Sequence, residues 1–377
     1  MLHSPLFKFQ HPTVAEIDLS AFKENVRQIK QLINTCKLLA VIKTNAYGHG
    51  IIPIGKKAVY AGADGLGVTT VEEGALLRDN GIDVPIHILS AITLEEVDAV
   101  IRYRLTASIS SGEIARAISR TAVQFNQTAI VHLKIDTGLH RFGVDPKRAI
   151  AFCRSYYNLP SLKWEGIYTH FSSADDGDFA TTEQQFALFL DTVSKLNMNG
   201  FNFPIRHVGG STIAIERSDM HLDMVRSGIA LFGYPPAQRQ RGIISLKPVL
   251  KLKSKIVQIH ELPANTRVGY GGKYVTRSIE KIAVVPIGHG DGYQRALSSK
   301  GETLVHGKRA KIVGIISLDQ TLINVTEILD VKEGDEVVLI GKQGNEEISA
   351  REVSGWVDSI VDEVLASLME RIPRIYV

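Results

Sequence analysis

Leu38–Gly50 reads LLAVIKTNAYGHG. Its apolar opening, bounded by turn residues, fits a strand buried on both faces, as in a parallel sheet, better than an amphipathic helix. Lys43 stands at the carboxyl end of that strand, ahead of a polar turn punctuated by Gly48 and Gly50. In α/β barrels and open sheets ligands gather at that end. An amine in a partly dry pocket loses its charge more readily and attacks aldehydes, which is how lysine forms a Schiff base with pyridoxal phosphate. A lone lysine at a strand end is more often merely solvated, so the neighbours must decide.

Upstream, after Pro12, VAEIDLSAFKENVRQIKQLI predicts a short strand, Ser20 as a cap, and an amphipathic helix leading into the lysine strand. Downstream, strand-like stretches recur at Gly65–Thr70, Pro85–Ser90, Leu105–Ser110, Ala129–Asp136, Glu165–His170, Pro204–Val208 and Met224–Phe232, which with the lysine strand makes eight. Helix-like segments such as VEEGALLRDN and EEVDAVIRYR separate them. This repeated βα unit is most simply a (β/α)8 barrel, with a doubly wound sheet as the competing pattern. Near Tyr234-Pro235-Pro236 the rhythm changes, and LKPVLKLKSKIVQI, KIAVVPI, RAKIVGII and DEVVLIG predict a mainly-β domain. The expected division is a barrel over residues 13–244 and a β-rich domain from residues 1–12 and 245–377. A final helix from Ala350 to about Leu368 is expected before RIPRIYV.

At 377 residues the chain is long for one domain. A hydrophobic content of 44% with 22% charged residues is ordinary for a globular protein. A formal charge of +3 is too small and too dispersed to argue for nucleic acid or membrane binding. MLHSPLFKFQHP carries no long apolar core after a basic cluster, and no later run approaches membrane-spanning length. Cys36 and Cys153 lie far apart without metal-ligand spacing, so no metal site is expected and a reducing, cytoplasmic setting is.

The residues after Lys43, Asn45-Ala46-Tyr47-Gly48-His49-Gly50, resemble the cofactor-lysine motif of alanine racemases, with Thr44 in place of the usual alanine. Further motifs resemble the same family in the same order. Lys134-Ile135-Asp136-Thr137-Gly138, followed by Arg141, is similar to the family's Lys-x-Asp-Thr-Gly-Met-x-Arg, with Leu139 for methionine. The resemblance implies that Arg141 reaches the cofactor's phenolic oxygen and the substrate carboxylate, a task suited to a planar, two-pronged donor. It implies too that Lys134 matches a lysine often carbamylated to position that arginine. Thr169-His170-Phe171 matches a segment whose histidine hydrogen-bonds the catalytic tyrosine, and Asp175 follows in pattern. His207-Val208-Gly209-Gly210-Ser211 resembles His-x-x-Asn-Ser, with Gly210 for asparagine. By that likeness Ser211, Gly228, Ile229 and the Tyr47 hydroxyl hold the phosphate, a reasonable anion site of hydroxyls and backbone N–H groups. Val225-Arg226-Ser227-Gly228-Ile229 resembles a strand whose arginine faces the pyridine nitrogen, with His207 supporting it. A permanently protonated arginine keeps that nitrogen from taking a proton, which makes a weaker electron sink and suits proton removal and return.

In the β-rich part, Val268-Gly269-Tyr270-Gly271-Gly272 resembles the Ser-Tyr-Gly motif of the second catalytic base, which enters from the other subunit of a head-to-tail homodimer. Lys43 and Tyr270 are then the two bases on opposite faces of the substrate; such a tyrosine needs a depressed pKa. Gly288 to Arg295 and Leu318-Asp319-Gln320 match two further motifs, the second lending backbone to the substrate carboxylate. The resemblance implies an amino-acid racemase acting on alanine and supplying its D-enantiomer for cell-wall precursors. His289, Ile315, Leu318 and Asp362 depart from the family's usual entrance residues. They leave open a broad-specificity or serine-preferring racemase, and a non-catalytic cofactor-binding paralogue is the alternative from another class. Related decarboxylases, which share the barrel-plus-β plan and pair the pyridine with an acid, are a third option that Arg226 disfavours.

Overall fold

The computed structural model describes residues 11–377, so the part of the expected β-rich domain at residues 1–10 lies outside the described residues. Two compact units emerge: Ser20–Lys247, and the described part of Met1–Leu19 together with Pro248–Val377. The strand β1 (Val14–Ile17), which the sequence places at the start of the barrel, belongs to the second unit. It pairs antiparallel with Leu250–Lys255 and parallel with Arg374–Tyr376, so its backbone groups are satisfied in the β-rich sheet.

The first unit is a barrel. Its strands are β2 (Lys37–Val41), β3 (Gly65–Val68), β4 (Ile86–Ile88), β5 (Thr106–Ile109), β6 (Ala129–Lys134), β7 (Leu162–Tyr168), β8 (Ile205–His207) and β9 (Met224–Ser227). They pair in the order β8-β7-β6-β5-β4-β3-β2-β9, each parallel to its neighbour, and each overlaps a stretch expected from sequence, β7 starting three residues before its stretch and β2 one. A doubly wound sheet would reverse its strand order part-way; this one does not. Instead its edges meet: Asp223 N donates to Arg206 O at 3.1 Å, and Arg226 N to Gly209 O at 3.2 Å. The Asp223 carboxylate fastens the seam by accepting from Arg206 N at 2.8 Å and from its Nε at 2.7 Å.

Helix α1 (Leu19–Ile33) begins one residue ahead of the expected Ser20 cap, and buries Phe22, Val26, Ile29 and Ile33 along one face. Asn25, on the same buried face, donates to Leu231 O and Lys247 O, and its Oδ1 accepts from Lys247 N. One amide side chain thus ties the chain's exit from the barrel to the entering helix. The β-rich unit carries a sheet in which Lys308–Lys311, Glu302–Val305, Glu336–Gln343, Leu250–Lys255, β1 and Arg374–Tyr376 follow one another. The expected final helix is broken in two, Ala350–Trp356 and Val361–Ala366, because Asp358 turns left-handed (φ 54°) between them. No helix of the described residues is long and apolar enough to cross a membrane.

Replacing Asn25 with Leu leaves Lys247 N and two carbonyls without partners, which costs about 2–4 kcal/mol. The urea midpoint should fall accordingly; an unchanged midpoint would show that the contact closes nothing.

Candidate active site

Lys43 leaves the carboxyl end of β2 and the backbone then does something that local propensity opposes. Thr44, Asn45, Ala46 and Tyr47 all have positive φ, between 51° and 56°, forming a left-handed turn without a glycine. Ala46 N donates to Ile42 O at 2.9 Å and Gly48 N to Thr44 O at 3.0 Å. Such a conformation costs about 1–2 kcal/mol per residue, so other contacts must impose it. Glu73 is one. Its carboxylate accepts from Asn45 N at 3.0 Å while closing a capping box with Thr70 on the helix Val71–Asp79. Asn45 Oδ1 accepts from Ile51 N at 2.8 Å, which joins the turn to the next helix.

The turn sends Tyr47 into the barrel mouth, where its hydroxyl meets Gly228: a Cβ on that glycine would lie 2.5 Å from Oη. Ser211 Oγ accepts from Gly228 N at 3.0 Å and lies 3.1 Å from Ser227 Oγ. Ile229 follows at the start of a short 3-10 turn, Ile229–Phe232. Tyr47, Ser211, Gly228 and Ile229, far apart in sequence, are thus brought to one place. Hydroxyls and a side-chain-free backbone make a cradle that fits a phosphate group.

Arg226 lies on the same strand, only 4% exposed. Its Nη1 donates to His207 Nδ1 at 2.8 Å, and Nη2 is shared among Thr169 O, His170 Nδ1 and Val208 O. None of these bonds uses Nε. Burial lowers the guanidinium's pKa to about 10, so it stays charged at neutral pH. Because a guanidinium only donates, both imidazoles must accept. Burial, followed by the charge of Arg226, pushes His170 and His207 well below their ordinary range, so both are neutral.

Lys134, at the end of β6, is 1% exposed, and its ammonium donates to Ile135 O. Burial, then Arg226, pulls its pKa down to about 7. Arg141 lies in the following loop and is exposed. In the β-rich unit Tyr270 sits between glycines in left-handed conformations, 67% exposed. Leu318 is exposed, and Arg371 donates to the Asp319 carboxylate at 2.8 Å. The two loops of that unit singled out by sequence lie side by side, with His289 N donating to Ser317 O and Gly290 N to Leu318 O.

The N-terminal alanine racemase domain model matches residues 17–236 and the C-terminal one residues 249–376. The chain belongs to the alanine racemase family. Alanine racemase of Halothermothrix orenii is 41% identical over 370 residues, covering 98% of each chain, and that of Symbiobacterium thermophilum is 38% identical over 365, covering 97% of each. The solved alanine racemase of Clostridium difficile superposes with a TM-score of 0.93 at 34% identity, covering 98% of this chain and 97% of that one. The Bacillus anthracis enzyme, solved with bound L-Ala-P, gives 0.93 at 32%, covering 98% and 96%. Alanine racemases depend on pyridoxal phosphate, and the strand-end lysine, the cradle at Gly228 and the uncommitted Nε of Arg226 fit that cofactor.

Sequence reading passed over His87, Ser108, His132 and Glu165. His87, His132 and His207 are buried together with Tyr168 inside the barrel, a site that branched aliphatic residues usually fill. The signal was available as polar residues recurring in otherwise apolar strands.

Neutral burial of His87, His132, His170 and His207 has a consequence for stability. Below their ordinary pKa of about 6.5 the unfolded chain binds protons that the folded chain does not. Stability should then fall as pH falls, by up to about 1.4 kcal/mol per pH unit for each histidine. Urea midpoints between about pH 7.5 and pH 5.5 check this, and His87→Gln should flatten the slope. Constant stability across the window would contradict it.

Proposed function

We propose that this chain is a pyridoxal phosphate-dependent racemase that interconverts L- and D-alanine, working as a cytoplasmic homodimer and supplying D-alanine for peptidoglycan. The observation that carries this reading is Arg226: a buried cation held only by neutral acceptors, with Nε left to meet a ring nitrogen. Decarboxylating relatives of this plan use an acidic partner there. When bound, pyridoxal phosphate supplies an electron-withdrawing ring that acidifies the α-C–H of an amino acid.

The protein's own groups do the rest. Lys43 anchors the cofactor's aldehyde and takes or returns a proton at Nζ on one face of the substrate. Tyr270 of the partner subunit does so at its phenol oxygen on the other face. His170, whose Nδ1 accepts from Arg226, carries its proton on Nε2 and can donate it to the partner's Tyr270, which favours the phenolate. Tyr47, Ser211, Gly228 and Ile229 hold the phosphate. Arg141 holds the phenolic oxygen and the substrate carboxylate, while Leu318 and Asp319 lend backbone at the entrance, the Asp319 side chain being engaged by Arg371. Lys134 is suited to carbamylation: carbon dioxide adds only to a neutral amine, and a pKa near 7 makes that form plentiful. The carbamate's negative charge would then attract Arg141.

A second reading, a racemase of broader or serine-directed specificity, draws on His289, Ile315, Leu318 and Asp362 at positions where the family's entrance residues differ. Chiral chromatography of L- and D-alanine, serine, lysine and arginine incubated with protein and cofactor separates the two. Racemisation of alanine far above the others is expected; preference for another amino acid favours the second reading. Lys43→Ala should abolish turnover, and Tyr270→Phe should impair one direction more than the other. Both directions intact in Tyr270→Phe would sink the two-base assignment, and a wild-type protein that binds cofactor without turnover would sink the activity.

A further inference from the structure

Beneath Arg226 the hydrogen bonds of the barrel interior run in one direction. Nδ1 of His207 accepts from the guanidinium, so the single proton of this neutral ring is on Nε2. That nitrogen donates to Nδ1 of His132 at 2.9 Å. His132 is kept neutral mainly by burial, so its proton in turn occupies Nε2 and faces a Glu165 carboxylate oxygen 3.7 Å away. At that separation the last contact is electrostatic rather than a formed hydrogen bond.

Two features of β7 make this arrangement fit. Val131 lies opposite Trp164 and His132 opposite Gly166, so Glu165 is an extra residue in the ladder. Such a bulge re-aims a side chain that strict alternation would turn the other way. Next to it, Gly166 leaves the space that the His132 ring fills, since a Cβ there would run into the imidazole. A side branch is ordered as well. The single proton of Ser108 goes to Ile88 O, so its oxygen accepts from Tyr168 and from His87 Nε2.

We propose that Glu165 is a positioning residue for Arg226: through His132 and His207 it fixes which nitrogen of each imidazole carries the proton, and so holds the guanidinium with Nε turned to the cofactor's ring nitrogen. The role toward the ring rests on the function proposed above; the proton order does not. His87, His132 and His207 also bring ligating atoms within 4.8 Å of one another, a spacing that would suit a metal ion. The proton order opposes this, because His207 has committed its Nδ1 lone pair to Arg226 and could bind a metal through Nε2 only as an imidazolate.

The test is nitrogen NMR of the cofactor-loaded protein labelled with 15N-histidine, read beside the racemisation rate. His132 and His207 should both be neutral with the proton on Nε2. Glu165→Leu should convert them to mixed tautomers and lower kcat/KM by about tenfold, the size usual for losing an orienting partner behind a functional group. Glu165→Gln, whose amide oxygen still turns partial negative charge toward Nε2–H, should keep the order and most of the rate. Protons on Nδ1 of either ring in the unaltered protein would overturn the proposal. So would mixed tautomers in Glu165→Gln, a Glu165→Leu protein with unchanged order and rate, or resonances of the three histidines that move on adding zinc chloride. Should Glu165→Leu fail to fold, the unaltered protein and Glu165→Gln still decide. Correct order in a protein that does not racemise would keep the relay and remove the activity, so the two claims fail separately.

Discussion

A full positive charge is buried at Arg226, and among the described residues no carboxylate pairs with it. Removing a guanidinium from water costs several kcal/mol unless its hydrogen bonds are replaced. Here two carbonyls and two imidazoles replace them, and Arg226 lies over the face of Tyr168, 5.2 Å from the ring centre. The constraint spreads outward from that choice. Each imidazole must be neutral and must turn its proton away, which dictates the polar filling of the barrel and leaves Nε among the donors that remain.

A second constraint operates at the other end of the site. The left-handed turn after Lys43 is unfavourable in itself, yet Glu73 and Asn45 hold it between two helices. It places the Tyr47 hydroxyl against Gly228, just past the end of the strand that carries Arg226. Lysine, guanidinium and all of the phosphate cradle but Ser211 therefore come from the ends of adjacent strands, β2 and β9, whose pairing Leu39↔Arg226 sets their spacing.

The eight barrel strands were legible because each is a short apolar run between turn residues, and the site motifs because their residue order resembles a family. What escaped was set by contacts between distant segments. Nothing local in Val14–Ile17 says that it pairs with Leu250–Lys255 and Arg374–Tyr376. Thr44 to Tyr47 contain no glycine to announce a left-handed path. Asp358 breaks a helix that periodicity carries through. Glu165 and His132 read as ordinary strand residues until the bulge puts them face to face. Lys43, by contrast, draws notice from its strand end, but only its neighbours turn the reading away from the ordinary solvated lysine.

The protonation state of the cofactor's ring nitrogen reports on Arg226 most directly. Reconstituting the protein with pyridoxal phosphate labelled with 15N in the ring, and recording its NMR shift near neutral pH, measures that state without relying on turnover. An unprotonated nitrogen that accepts a hydrogen bond, lost in Arg226→Glu, is the expected result; a pyridinium in the unaltered protein would contradict the role given to Arg226.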